Sequence, residues 1–165
     1  MYKIDDVVVY GNHGVCRITE ITEKEFAGET HLYYTMIPVF DHRSTFFLQV
    51  DNEKSQKKIR AILTADEIRN LIRTIPQQEE LKINDEKQRK DIYKTIIENG
   101  DRSEIMCLVK TLYERREAQK KAGRKQHLVD ERFMKEAETV LYDEFAYVLN
   151  IDRDQVVEYI RQELK

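Results

Sequence analysis

A chain of 165 residues, 41% hydrophobic and 36% charged, is long enough for a real core in one domain or two small ones. Five glycines and two prolines exclude collagen-like and low-complexity classes. With no apolar run near the roughly 18 residues a bilayer requires and no signal-peptide core, they predict a helix-rich cytoplasmic protein. The formal net charge of −3 argues against a strong nucleic-acid binder.

Residues 1–63 read as an all-β module. Val7 to Tyr10 is β-branched or aromatic throughout, and Gly11 and Gly14 bracket Asn12-His13, so a strand, a tight turn and a second strand are expected. The second strand is expected over Cys16–Ile21, followed by the charged Glu23-Lys24-Glu25 and a turn at Phe26-Ala27-Gly28-Glu29. Thr30 to Val39 is apolar on both faces and reads as an inner strand of a curled sheet. A turn at Asp41 to Ser44 leads to a strand over Thr45–Val50, a polar loop over Asp51–Lys58 and a short closing strand at Ile59–Ile62. Short strands with turns near every ten residues predict a small, strongly bent sheet or barrel.

Residues 64–80 form a capping helix and connector. Thr64 and Glu67 make a capping box, Ile68, Leu71, Ile72 and Ile75 follow at helical spacing, and Pro76 stops the run. From 81 to 165 a compact all-α bundle of about four helices is expected, giving an α+β protein of two domains. Leu81, Ile92, Tyr93, Ile96 and Ile97 place one helix before Gly100, and Asp101 caps the next, which buries Ile105, Leu108, Val109 and Leu112. The third runs from Leu128 to Leu149, and Asp152 caps the last.

The cysteines, Cys16 and Cys107, lie far apart in apolar patterns, which suits buried free thiols better than a disulfide or metal pair. The four histidines have no metal-ligand spacing, and there is no phosphate-cradling glycine run. His13 and His42 fall in turns, where a solvated or backbone-bonded imidazole is the ordinary state. The carboxylates sit on amphipathic helix surfaces and assemble no catalytic constellation. The reading is a non-enzyme with no cofactor, no metal and no small-molecule substrate.

Two surfaces remain. Thr45, Phe46, Phe47, Leu48, Gln49 and Val50 are apolar enough to form an open sheet edge for strand addition, or equally a central strand. The second is basic. Residues 82–125 carry 13 basic and 8 acidic side chains, an excess of +5, whereas 126–165 carry 5 and 10, an excess of −5. Lys87, Arg89, Lys90 and Lys94 on the first bundle helix, then Lys110, Arg115, Arg116, Lys120, Lys121, Arg124 and Lys125, are the candidate phosphate contacts. Lysines at a helix C-terminus also simply complement its dipole, and the asymmetry also fits two solvated surfaces of unequal lysine content.

The hairpin Val7-Val8-Val9-Tyr10 with His13-Gly14-Val15, then Gly28-Glu29 with Tyr33-Tyr34, Val50-Asp51-Asn52, Ile59-Arg60, Asn99-Gly100-Asp101 and Val109 to Arg115, resembles the CarD/CdnL family of bacterial transcription regulators in order and spacing. The resemblance implies a Tudor-like N-terminal domain that docks on the RNA polymerase β subunit by sheet extension. It also implies a helical domain that lies against upstream promoter DNA, non-specifically, and stabilises the open complex. Two positions depart from the family pattern. Many members carry a tryptophan wedge near the start of the first bundle helix, and here Glu86 stands at about that place in a chain with no tryptophan. A carboxylate beside a phosphate backbone is repelled rather than inserted. Gln49 replaces the proline usual before Val50.

The first functional expectation is therefore a polymerase-binding regulator that approaches promoter DNA through its basic face, with weak, salt-sensitive affinity for free DNA. The alternative is a protein–protein adaptor on polymerase or a repair translocase, without direct DNA binding, which the net charge and the missing tryptophan favour. RNA binding by the small β-module is a third, weaker reading.

Overall fold

A computed structural model describes residues 1–83 and 85–165. Five antiparallel strands, β1 (Val7–Tyr10), β2 (Val15–Phe26), β3 (Glu29–Pro38), β4 (Phe46–Gln49) and β5 (Ile59–Ala61), form a sheet in the order β4-β3-β2-β1-β5. The sheet is open rather than a closed barrel, with β4 and β5 at its two ends.

β2 runs through Glu23-Lys24-Glu25 to Phe26, five residues beyond the expected end at Ile21. Backbone pairing with β3, from Thr22↔Tyr33 to Phe26↔Glu29, sustains the ladder where the side chains are polar. The hairpin closes through Ala27 (φ 51°) and Gly28 (φ 81°), the doubly positive turn that matches strand twist. The register shifts between Ile18 and Glu20, and there the Thr19 hydroxyl donates to the Thr35 carbonyl at 3.2 Å.

Asp51–Lys58, expected as loop, contains a single helical turn, α1 (Glu53–Gln56). The Asn52 side chain accepts from the Lys54 amide at 2.8 Å and starts that turn.

The helices are α2 (Ala65–Arg73), α3 (Glu86–Asn99), α4 (Arg102–Lys121), α5 (Leu128–Leu149) and α6 (Val156–Glu163). Both arms of the Thr64–Glu67 capping box form. Gly100 ends α3 at φ 71°, and Asp101 caps α4 by accepting from the Glu104 amide at 3.1 Å. Leu81 lies outside α3, which starts behind Asp85; its amide donates to Thr111 Oγ1 on α4 instead.

Two apolar cores meet at the sheet. Val8, Cys16, Ile18, Tyr34, Met36, Leu48, Val50 and Ile59 pack on one side. Val9 and Val15 point the other way and join Ile68, Ile72, Tyr93, Ile97, Leu108, Leu112, Phe133, Leu141 and Phe145. Strand alternation therefore sends neighbouring valines of β1 into different cores, and α2 packs into the helical one.

A polar seam fastens the halves. Glu144, 1% exposed, accepts from the Leu63 amide at 3.0 Å and from both Arg102 Nε and Nη2, at 3.1 and 2.8 Å. Arg102 Nη2 also donates to the Ala61 carbonyl at 2.7 Å. Cys16 and Cys107 are free thiols, the first buried and the second half-buried. Burial pushes the Cys16 thiol up to about 12, where it is inert.

Candidate functional site

The two ends of the sheet differ. At β5, three residues long, the Ala61 carbonyl is taken by Arg102, and on the sheet face the Arg60 guanidinium lies against Gly100 at the end of α3. β4 is an end strand paired with β3 through Tyr33↔Gln49, Tyr34↔Leu48, Thr35↔Phe47 and Met36↔Phe46. Of the two readings open for Thr45–Val50, edge or centre, the structure has the edge.

The Val50 amide donates to the Leu32 carbonyl at 2.9 Å. Antiparallel pairs alternate between bonded and non-bonded, so Leu48 and Phe46 turn their backbone groups to β3. Phe47 and Gln49 turn theirs outward. The side chains alternate too. Leu48 is buried and Phe46 packs beside it, whereas Phe47 is 46% exposed on the other face. There it adjoins Phe26, 48% exposed, which meets Tyr33 edge-on at 5.1 Å; Lys24 Nζ lies 4.8 Å from the Phe47 ring. The edge thus offers backbone donors and acceptors beside an exposed aromatic strip.

The sequence-selected cations do not form one surface. Arg89 is 8% exposed within α3. Arg115 Nε donates to Asp130 at 3.0 Å, and that carboxylate, fully buried, also accepts from the Tyr93 hydroxyl at 3.2 Å. Lys110 Nζ donates to the Ile75 and Gln78 carbonyls. Arg115 and Lys110 hold the bundle together through a buried carboxylate and two backbone carbonyls, and Arg89 is withdrawn from solvent by burial alone. Arg116 is half-buried over the Tyr113 ring at 5.2 Å. Lys120, Lys121, Arg124 and Lys125 are exposed at the end of α4 and in the loop after it. Glu86 is the exposed first residue of α3, and Lys87 follows it.

Lys90 and Lys94 face elsewhere. They line a cleft of about 770 Å³ between the halves, opposite Lys54, Lys57 and Lys58 from α1 and the segment after it, with Arg132 of α5 alongside. Tyr10 and His13 of the β1–β2 turn also line it. Sequence reading named Lys90 and Lys94 but passed over Lys54, Lys57, Lys58 and Arg132; the available signal was three lysines within five positions in a segment read as a polar loop. Among the described residues no group of three or more His, Cys, Asp or Glu side chains is arranged to hold a metal ion, and no helix is long and apolar enough to cross a membrane.

The molecule thus joins an open sheet, whose β4 end is free, to a helical bundle that displays cations. The chain belongs to the CarD family: the CarD-like/TRCF RID domain matches residues 2–63, and the CarD C-terminal domain matches residues 70–161. This is a family of RNA polymerase-interacting transcription regulators, non-enzymatic as a class. Comparison with curated proteins finds no match.

Proposed function

We propose that this protein is a transcription regulator that docks on the RNA polymerase β subunit by adding β4 to a strand of the partner, and from there sets its helical half against promoter DNA. The observation that carries the docking half is the asymmetry of the sheet: β5 is short and its Ala61 carbonyl is taken by Arg102, while Phe47 and Gln49 present free backbone groups on β4. Uncovered edges are normally blunted, so an edge left open beside exposed aromatics is a binding feature. The DNA half rests on Lys87, Lys90, Lys94, Arg116, Lys120, Lys121, Arg124 and Lys125, with Arg89 and Arg115 serving the fold. Among the described residues no element shaped to read base edges accompanies them, so position comes from the polymerase and the DNA contacts are to phosphate.

The test is capture of the full chain by isolated lobes of the β subunit. The full chain is required because Val9 and Val15 pack into the helical core, and a severed β-module would expose them. Binding abolished by Phe47→Pro supports strand addition. Undiminished binding of that variant rules it out.

The adaptor reading is sustained by one observation, the exposed carboxylate of Glu86 at the place where the family resemblance puts a wedge. It predicts polymerase binding without any dependence on the helical cations.

A further inference from the structure

The cleft between the halves is lined by six cationic side chains, Lys54, Lys57, Lys58, Lys90, Lys94 and Arg132, against two carboxylates, Glu98 and Glu136. That local excess of +4 stands in a protein whose net charge is −3. Glu98 lies 3.9 Å from Lys94 and Glu136 lies 3.4 Å from Arg132, so both carboxylates are already engaged. Among the described residues, Lys54, Lys57, Lys58 and Lys90 have no carboxylate within ion-pair distance. All four are exposed.

Like charges facing each other across a cleft repel, and they are tolerated where an anion bridges them. The cations lie on both walls. The opposing lysines come from the β-module and from the bundle, which suits a polyanion running along the cleft better than a ligand held at one point. At one end lies the exposed His13 ring, stacked at 5.0 Å and 25° on Tyr10 and set 4.4 Å from Phe46. An imidazole backed by two aromatics is a flat π-surface of the kind on which a base stacks. A space of about 770 Å³ admits a strand of a few nucleotides and is too small to take in a duplex.

We infer that this cleft binds a short stretch of single-stranded nucleic acid, its phosphates held between Lys54, Lys57, Lys58 and Lys90, Lys94, Arg132, and one base stacked on His13. The inference shares Lys90 and Lys94 with the promoter-DNA reading above but does not depend on polymerase docking, and its test uses the free chain.

The experiment is fluorescence anisotropy of a labelled oligothymidylate of about eight nucleotides with the full chain, repeated across salt. Four engaged phosphates predict a log–log salt slope of about −3. Combined Lys54→Gln, Lys57→Gln and Lys58→Gln substitution is expected to weaken binding at least tenfold and to flatten the slope. Neutralising Lys120, Lys121, Arg124 and Lys125 is expected to weaken binding to this oligonucleotide far less than the triple substitution does. His13→Ala is expected to weaken the oligonucleotide several-fold while leaving competition by inorganic tripolyphosphate intact, which separates stacking from charge.

The inference is overturned by absence of binding at low salt, by equal loss in the α4-end variant, or by a blunt duplex of the same length binding as tightly. It is overturned too if His13→Ala affects tripolyphosphate and oligonucleotide alike. Loss of β-subunit capture by Phe47→Pro with strand binding intact leaves it standing, so the two readings fail separately.

Discussion

Asp143 lies on α5 beneath the β1–β2 turn, 6% exposed, with Arg153 Nε 2.8 Å from Oδ1. Burial pushes its carboxyl up to about 6 from 3.8, and the attraction of Arg153 offsets only part of that. Between those two values the folded protein holds a proton that the unfolded chain has released, so stability from this group is complete below about pH 3.8 and is lost as pH rises through 6. Asp143→Asn removes the titration. The stability of the variant relative to the parent is therefore expected to rise from pH 4 to pH 7, by about 2 to 3 kcal/mol; urea unfolding at both ends of that range measures it, and a pH-independent difference would contradict the account. Gly14 adjoins the same carboxylate at φ 85°, and a Cβ there would collide with it, so Gly14→Ala is unfavourable on two counts.

Glu144, the next residue, is fully partnered. Removing its carboxylate strands the Leu63 amide and leaves Arg102 without its counter-ion in a site 17% exposed on the arginine side. Breaking such a pair from one side costs about 3 to 5 kcal/mol. Glu144→Ala is expected to lose that much in chemical denaturation and to loosen the seam first, read as faster hydrogen exchange at Leu63 than at Val8.

At the scale of the strand, alternation decides which backbone groups are available to a partner. Proline at Phe47 removes an N–H that faces outward, which an edge strand tolerates; proline at Leu48 removes one that faces β3. Phe47→Pro is accordingly expected to shift stability by less than about 1 kcal/mol while abolishing β-subunit capture, and Leu48→Pro to cost about 3 kcal/mol or more. Thermal unfolding of the two variants checks the first half of the pair. Similar losses from both would mean that Phe47 also bonds inward.

The same alternation explains what could be read before any coordinates. Val7–Tyr10, the Ala27-Gly28 turn, the Thr64–Glu67 box and the Gly100-Asp101 break each carry a local signal, and each appears where the residues indicate. The extension of β2 through Glu23-Lys24-Glu25 carries none, because it depends on pairing with β3 rather than on its own side chains. The functional surfaces were legible as residue types and not as places. Arg89, Arg115 and Lys110 look like any other surface cations until the fold brings acceptors or burial to them. Lys54, Lys57 and Lys58 gain meaning only when Lys90 and Lys94, more than thirty positions away, face them across the cleft. Whether Thr45–Val50 lay inside the sheet or at its end was likewise a question of strand order, which no single strand records.

For the whole molecule, the proposed promoter-DNA contact has to be reconciled with a net charge of −3. Residues 82–125 carry an excess of +5 and residues 126–165 carry −5, and within the first segment Lys120, Lys121, Arg124 and Lys125 form an exposed cationic cluster that would attract phosphate whatever the net charge. Affinity for free duplex should then be weak and steeply salt-dependent, and docking on polymerase would supply the local concentration that affinity does not. Neutralising Lys120, Lys121, Arg124 and Lys125 to glutamine tests this without touching the core, since all four are exposed. Two measurements belong together, capture by the β subunit and promoter-complex lifetime in the presence of polymerase. If the cations act on DNA, capture is unchanged, the effect on lifetime falls at least tenfold, and the parent loses its effect as salt rises from 50 to 200 mM. If the protein is an adaptor, both capture and the effect on lifetime survive the substitution, and the effect changes little with salt. The two outcomes differ in the salt dependence of the parent alone, so the question can be decided even if the fourfold variant were to bind polymerase poorly.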